Sequence, residues 1–284
     1  MTSSVEGLLL IDKPTGVTSH DVVAMVRRSL GARKVGHAGT LDPMATGLLL
    51  LGVGRATRLL RFLGDLPKTY EGTFLLGVET TTLDADGDVT AEAPADVSDA
   101  DLARVMGALV GASLQRPPAF SAVKVGGRKL YDAARVGEAL EAPPRPIHVD
   151  RFAVTGRTGP AVDFVAVVSS GTYVRVLAAD VGTALGCGAH LTVLRRTSIG
   201  SFSVGEASPP ETPGSILPLE AAVAHLPRVT LVEDEAQVAR HGSILGPAGF
   251  EGPYAAVDAE GSLIGVYRDD GPKGRPEVIL AASE

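Results

Sequence analysis

The stretch Gly36-His37-Ala38-Gly39-Thr40-Leu41-Asp42-Pro43-Met44-Ala45-Thr46-Gly47 sets a single carboxylate, Asp42, among three glycines, a proline, two threonines and a histidine. Glycine and proline at this density constrain the backbone tightly, and ordinary apolar segments lie on either side. An Asp-Pro pair by itself closes a turn or caps a helix, because the short carboxylate bonds nearby N–H groups and the ring fixes φ. Packing does not require this carboxylate. Three other stretches further along the chain keep it company.

Working outward, Leu8-Leu9-Leu10-Ile11 reads as a short buried strand ended by the turn Asp12-Lys13-Pro14-Thr15-Gly16. Thr18 or Ser19 caps a helix with Val22, Val26 and Leu30 on one face and Gly31 at its end. On the other side of the loop, Leu48 to Val53 reads as a central strand and Arg55 to Leu63 as a helix, with arginines at 55, 58 and 61 along one face. A strand is expected from Tyr70 to Val78. The aspartates of Asp84-Ala85-Asp86-Gly87-Asp88 lack the spacing and distal Glu of a calcium loop, so a solvated hairpin turn is expected. Ser98 opens a helix whose Leu102, Val105, Met106 and Leu109 face inward. Val162 to Ser169 reads as a strand, and Gly171-Thr172-Tyr173-Val174-Arg175 leads into a helix ending at Gly186. His190 to Ser198 reads as a strand with Leu191, Val193 and Leu194 buried.

Residues 116–146 are rich in Pro and Gly and interleave basic with aromatic side chains, among them Phe120, Lys124, Arg128, Lys129 and Tyr131. Such a segment makes a poor core element and reads as an excursion, either a surface loop or an RNA contact. A linker at 209–214 precedes a change of pattern to short strands and turns, which places a small β-rich domain at 228–284 after a main domain at 1–227.

Of 284 residues, 45% are hydrophobic and 21% charged, which suits a folded chain with a core and room for a small extra domain. The start, Met1-Thr2-Ser3-Ser4-Val5-Glu6, lacks the basic region of a secretory signal, and no run of eighteen apolar residues exists; the expectation is a cytoplasmic protein off the membrane. One cysteine, Cys187, excludes an intrachain disulfide, and six scattered histidines offer no His-x-x-x-His pair, so no metal is expected. Nucleotide cofactors are not implied either, since Gly52-x-Gly54 and Gly186-x-Gly188 lack a full dinucleotide fingerprint and no Walker A motif occurs. Ser19-His20-Asp21 has the letters of a hydrolase triad, but adjacent residues cannot aim their side chains in relay. The net charge of −7 is uneven: segments 1–72, 73–115, 116–196 and 197–284 carry +3, −7, +5 and −8. That alternation permits a basic groove on an acidic body, and so permits RNA.

Four stretches stand together: Gly36 to Gly47, Lys68-Thr69-Tyr70-Glu71, Gly171 to Arg175, and Gly186-Cys187-Gly188-Ala189-His190 with Leu194-Arg195-Arg196. Their order and spacing resemble the TruB family of tRNA pseudouridine synthases over about residues 7–200, and Asp12-Lys13-Pro14-Thr15-Gly16 fits as well. The resemblance implies an α+β fold: a catalytic domain on a mixed, mainly antiparallel sheet flanked by helices, with a protruding RNA-binding loop at about 116–146 and a small C-terminal PUA-like β domain. It implies isomerisation of uridine to pseudouridine at position 55 in the T arm of tRNA, without a cofactor, by a monomer with no obligatory protein partner. Asp42 would be the catalytic residue, ionised as either a nucleophile or a base. Arg175 would be its guanidinium partner, offsetting the cost of burying the charge.

Taken alone, Tyr70 is a strand aromatic of the core; the resemblance makes it the residue that stacks on the target base and removes its C5 proton. His37 would enter the RNA loop, and Leu194 would line the pocket. Extracting a uridine from a folded loop costs a few kcal/mol of unstacking, repaid by stacking and phosphate contacts. Lys13, Arg33, Lys34, Lys124, Arg128, Lys129 and Arg196 are candidates for those contacts. Residues 228–284 carry 5 basic against 10 acidic residues, which argues against strong phosphate binding there. Two rival functions remain open: a guide-RNA-dependent relative working inside a ribonucleoprotein, and a tRNA-folding chaperone whose catalysis is incidental.

Overall fold

The structure, a computed structural model, describes residues 5–138 and 140–280. Strand β1 (Gly7–Lys13) is buried on both faces, as its Leu-Leu-Leu-Ile run requires. Helix α1 (Ser19–Leu30) begins at Thr18, whose hydroxyl accepts from the Asp21 N–H while the Asp21 carboxylate accepts from the Thr18 N–H. This reciprocal cap satisfies two of the helix's free donors. The helix stops at Gly31, which takes the left-handed φ of 60°. Val22, Val23 and Val26 pack on Leu9, Ile11, Leu49 and Leu51 of the sheet, each burial stabilising by about 1.5–3 kcal/mol.

The chain continues through β2 (Val35–Ala38) and β3 (Thr46–Val53). The single helix expected from Arg55 to Leu63 is instead a 3₁₀ turn at 54–58 followed by a short α2 (Leu60–Gly64). Its three arginines turn to different partners: Arg55 to Glu6, Arg58 to the Ile279 carbonyl and Arg61 to Glu277. Next come β4 (Lys68–Leu76), a hairpin of β5 (Val78–Thr80) and β6 (Val89–Glu92), α3 (Asp99–Ala108) and β7 (Gly111–Gln115). A small hairpin of β8 (Lys124–Val125) and β9 (Arg128–Lys129) runs into α4 (Leu130–Arg135), then β10 (Arg145–Thr158), β11 (Ala161–Val168), α5 (Val174–Leu185), β12 (Ala189–Ile199) and β13 (Phe202–Ser203).

The main sheet has nine strands in the order β1-β3-β12-β4-β11-β10-β7, with β2 also on β3 and β13 on β12. All its pairings are antiparallel except β3 with β12. Because β1 pairs with β3 from Gly47 to Val53, the opposite edge of β3 is shared in succession. β12 takes it at Thr46 and Gly47, and β2 takes it from Leu50 to Val53. The sheet therefore forks where residues 39–45 cross from β2 to β3. Gly47 makes the fork possible: at φ 103°, a Cβ there would lie 2.3 Å from the Arg196 carbonyl oxygen.

Strand β12 carries a bulge between Leu191 and Val193. The extra residue resets the alternation, so Val193 is 54% exposed, contrary to the sequence expectation, and Leu194 turns inward beside Leu191. Helices α3 and α5 cover this face, forming a core with Phe74, Phe152 and Phe164.

Residues 208–217 run back along β1, with Ser208 and Leu217 hydrogen-bonded to its backbone. A second sheet follows: β14 (Arg228–Thr230), β15 (Pro253–Val257), β16 (Leu263–Asp270) and β17 (Lys273–Ile279), with β14 and β15 parallel. It includes a helix that the sequence reading omitted, α6 (Glu233–Arg240), whose Ala236 and Ala239 pack beside Tyr254 and Tyr267. Ala255, Val257 and Val266 of this sheet share a core with Leu8, Leu10 and Leu48.

Candidate active site

The crossing loop is held from below by the turn after β1. Lys13, fully buried, donates from Nζ to the carbonyls of Pro14 (3.0 Å), Pro43 (3.1 Å) and Ala45 (2.6 Å). Three acceptors match the three donors of an ammonium group; burial nevertheless pushes its pKa down to about 8, opposed by the nearby Asp42 charge. The Gly16 N–H adds a bond to the Pro43 carbonyl (2.9 Å). Ser19 exchanges bonds with Leu41 in both directions, at 2.9 and 3.2 Å. Asp42 thus rides on a backbone clamped on both sides, which is what a positioned side chain needs.

From that loop the Asp42 carboxylate meets the guanidinium of Arg175, with Nη2 at 3.4 Å from Oδ1 and 3.3 Å from Oδ2. Arg175 sits in the first turn of α5, whose entry is fixed by Gln115: its amide accepts from the Tyr173 N–H (2.7 Å) and donates to the Tyr173 carbonyl (3.2 Å). The Arg175 side chain is only 5% exposed. It also donates to the carbonyls of Thr82 (3.2 Å) and Phe120 (2.7 Å) and pairs with Asp84 at 3.4 Å. Its Nε is buried without a partner among the described residues.

Asp84 was missed by sequence reasoning, which placed it in a solvated turn. It is buried, and its carboxylate takes Arg175, the Thr82 hydroxyl and the Asp86 N–H. Leu83 before it holds φ at 65°, the one positive φ outside glycine among the described residues. Strain of this kind costs about 1–3 kcal/mol and persists where the surroundings over-determine it; here the Leu83 carbonyl is bonded to the Leu191 N–H. No sequence pattern signals the burial of Asp84, because its partner Arg175 lies 91 residues away.

These groups line a cavity of about 930 Å³ bounded by 39–43, Lys68, Tyr70, Asp84, 120–123, 169–175 and Leu194. Asp42 keeps about a third of its side-chain surface open to it (37%). Enclosure raises its carboxyl pKa above the usual range, and the Arg175 charge works against that rise. Tyr70, on β4, is 8% exposed, and its phenol oxygen accepts a long contact of 3.5 Å from Arg196 Nη1. Lys68 is buried beside it, its pKa pushed down to about 8 by burial and then by Arg196.

Two of the expected phosphate ligands cannot act as such. Lys13 is spent on the loop carbonyls, and Arg196 is 1% exposed, donating to the carbonyls of Leu48 (2.7 Å) and Gly39 (2.9 Å). Both are internal braces, since a cation whose donors are satisfied inside the protein has none to offer a phosphate. Lys129 lines the cavity, and Lys124 and Arg128 lie outside its lining; Arg128 is paired with Glu138 at 2.8 Å. Arg135 and Arg145, which sequence reasoning passed over, face the cavity with Lys129. His37, on β2, is half-buried outside the lining; burial lowers its pKa, and its Nδ1 has no partner among the described residues. The 116–146 segment packs back on the site through buried Leu130 and Ala133 and through the Phe120 carbonyl.

A family profile described as TruB family pseudouridylate synthase (N terminal domain) matches residues 27–174. The protein named tRNA pseudouridine synthase B of Mycobacterium sp. (strain KMS) is 46% identical over 284 residues, covering 96% of this chain and 95% of that one. The chain belongs to the TruB family. It is a pseudouridine synthase. A second TruB relative, tRNA pseudouridine synthase B of Corynebacterium aurimucosum, is 45% identical over 285 residues, with 96% of each chain covered. Profiles described as tRNA pseudouridylate synthase B C-terminal domain and tRNA Pseudouridine synthase II, C terminal match 175–209 and 226–281. Among solved structures, a chain of a Cbf5-Nop10-Gar1 complex superposes with a TM-score of 0.75 at 26% identity, covering 96% of this chain and 84% of that one. A chain of an H/ACA RNP bound to a substrate RNA containing 2'-deoxyuridine shares the fold with a TM-score of 0.74 at 24% identity, covering 97% and 85%. Among the described residues, no helix is long and apolar enough to cross a membrane, and no group of three or more His, Cys, Asp or Glu is placed to hold a metal.

Proposed function

We propose that this chain isomerises uridine 55 in the T arm of tRNA to pseudouridine, acting without a guide RNA, with Asp42 as the catalytic residue. The observation that carries the reading is the contact of Asp42 with buried Arg175 at the floor of a cavity of about 930 Å³, within the range of about 300–1,000 Å³ that suits a small ligand. Its relatives at 45–46% identity are named tRNA pseudouridine synthase B, and the chain spans 95–96% of their length.

The isomerisation breaks the N1–C1′ bond, turns the uracil and joins C5 to C1′. C5 loses a proton and N1 gains one, so composition is unchanged. Attack by Asp42 on C1′, attack on the base and removal of a sugar proton all demand an ionised carboxylate. Arg175 positions it: a guanidinium fixed by Asp84 and two carbonyls holds the Asp42 oxygens in one orientation and favours their charge. Tyr70 offers its ring to the flipped base, an interaction worth about 1–3 kcal/mol. Its phenol oxygen, contacted at 3.5 Å by Arg196 Nη1, takes up the C5 proton of the rotated base as the phenol's own proton passes to solvent, while N1 takes one up. Leu194 closes the apolar side, and Lys129, Arg135 and Arg145 face the RNA backbone. His37 stands at the loop's entry as a wedge for the RNA loop. The small C-terminal domain, 228–284, buttresses the catalytic domain, 1–227, through their shared core; residues 281–284 lie outside the described ones.

Asp42→Asn tests this by tritium release from tRNA carrying 5-tritiated uridine. Release should vanish with tRNA binding kept, and near-normal release removes Asp42 from its role. Stability separates chemistry from folding. Because enclosure raises the folded-state pKa above the unfolded one, ionised Asp42 weighs against folding at pH 7, so the variant's Tm should be no lower than that of the parent. Activity on a bare T-arm stem-loop without added RNA separates this enzyme from a guide-dependent one.

A further inference from the structure

We infer that the exposed cations at the end of α1 and in the turn before β2 form a second RNA-backbone clamp, which grips the paired stem adjoining the target loop. The inference rests on the proposed tRNA reading and adds a binding surface outside the cavity. Between Asp21 and Asp42 the chain has no carboxylate, while positions 27–34 hold Arg27, Arg28, Arg33 and Lys34. All four are exposed, and among the described residues none pairs with an acidic side chain. Arg27 is partly spent on the Val35 carbonyl (3.5 Å). In the C-terminal domain, by contrast, Arg240, Arg268 and Arg275 are matched to Asp258, Glu277 and Asp270. On a chain of net charge −7, an unneutralised run of this density marks a place where anions arrive.

A helix dipole accounts for Arg27 and Arg28 in the last turn of α1. It does not account for Arg33 and Lys34, which lie beyond the Gly31 cap. Their place supplies the reason: β2 runs from Val35 straight into the Asp42 loop, and its four residues span roughly 13 Å at about 3.3 Å each. The cluster therefore stands a few nucleotides from the reacting one and off the cavity, whose exposed cations, Lys129, Arg135 and Arg145, come from the 120–145 segment. Holding the stem from this side keeps the helix still while one nucleotide is unstacked at a cost of a few kcal/mol. Phosphate contacts do this without reading sequence.

The test is the combined variant Arg28→Gln, Arg33→Gln, Lys34→Gln, compared with the parent for binding to full-length tRNA and to a bare T-arm stem-loop. Exposed positions of this kind change stability within about 0.5 kcal/mol, so both proteins are folded. Three lost phosphate contacts reduce the salt slope by about 2.7, so between about 50 and 200 mM salt the parent should lose roughly 40-fold more affinity than the variant. The effect is expected on both RNAs. Equal affinity and equal slope for the two proteins overturn the clamp, as does a loss confined to full-length tRNA. Should the parent form no pseudouridine in tRNA, the proposed function fails, while the clamp is still decided by the binding curves.

Discussion

Replacing Arg175 by Met removes the one cation that, among the described residues, pairs with both Asp42 and Asp84. The side chain is 5% exposed, as is that of Asp84, so the change leaves a buried carboxylate with only the Thr82 hydroxyl and the Asp86 N–H. Breaking a buried pair from one side costs about 3–5 kcal/mol, which for a chain near this size lowers Tm by roughly 6–20 °C. Activity carries a second signature. Asp42 already has a raised pKa, restrained by Arg175; without the restraint it rises further. Since the reaction needs the ionised form, the acidic limb of the pH–rate profile should move to higher pH, with activity lost earlier as pH falls. Thermal denaturation and tritium release across pH measure the two effects. Adding Asp84→Asn to Arg175→Met should return stability, because the stranded charge is gone, yet leave the pH profile displaced. Arg175→Lys keeps charge but loses the fork that serves two carboxylates and the Phe120 carbonyl at once, so it should fold better than Arg175→Met and still turn over slowly. A Met variant with parental Tm and an unmoved acidic limb would refute the pairing as the basis of the site.

Tyr70→Phe keeps the ring and loses the phenol oxygen, so kcat should fall with KM for tRNA nearly unchanged; a parental kcat excludes the phenol from proton removal. Gly47→Ala puts a Cβ 2.3 Å from the Arg196 carbonyl oxygen at a φ of 103°; the strain alone costs about 1–3 kcal/mol. Denaturant titration should show at least that loss, together with reduced activity as the fork opens, and parental stability counts against the fork as a constraint. Lys129→Gln should weaken tRNA binding and flatten its salt dependence, whereas Arg128→Gln, already neutralised by Glu138, should do little; the reverse order would relocate the RNA path. Asp42→Asn, as above, should abolish turnover at undiminished Tm.

Local chemistry was legible wherever a residue's neighbours in sequence determine its role. The Thr18 cap, the Gly31 and Gly186 stops and the apolar runs of β1 and β3 follow from nearest-neighbour physics. The short α2, the bulge in β12 and helix α6 did not, since each depends on partners far along the chain. The same division runs through the site. Asp42 stood out because glycine and proline frame it within twelve residues, whereas Asp84 looked like one more surface aspartate until Arg175, 91 positions away, was placed beside it.

By itself the sequence determined that a constrained loop carries a lone carboxylate, that a helix with an arginine in its first turn follows a Gly-Thr-Tyr stretch, and that the chain's positive charge comes in two blocks. Only the tertiary structure decided which cations are available to a ligand. Lys13 and Arg196 read as phosphate ligands, yet the fork in the sheet encloses both and spends their donors on backbone carbonyls. A side chain's charge is a property of the residue, but whether water, protein or RNA answers it is settled by burial, and burial is set by contacts between distant segments.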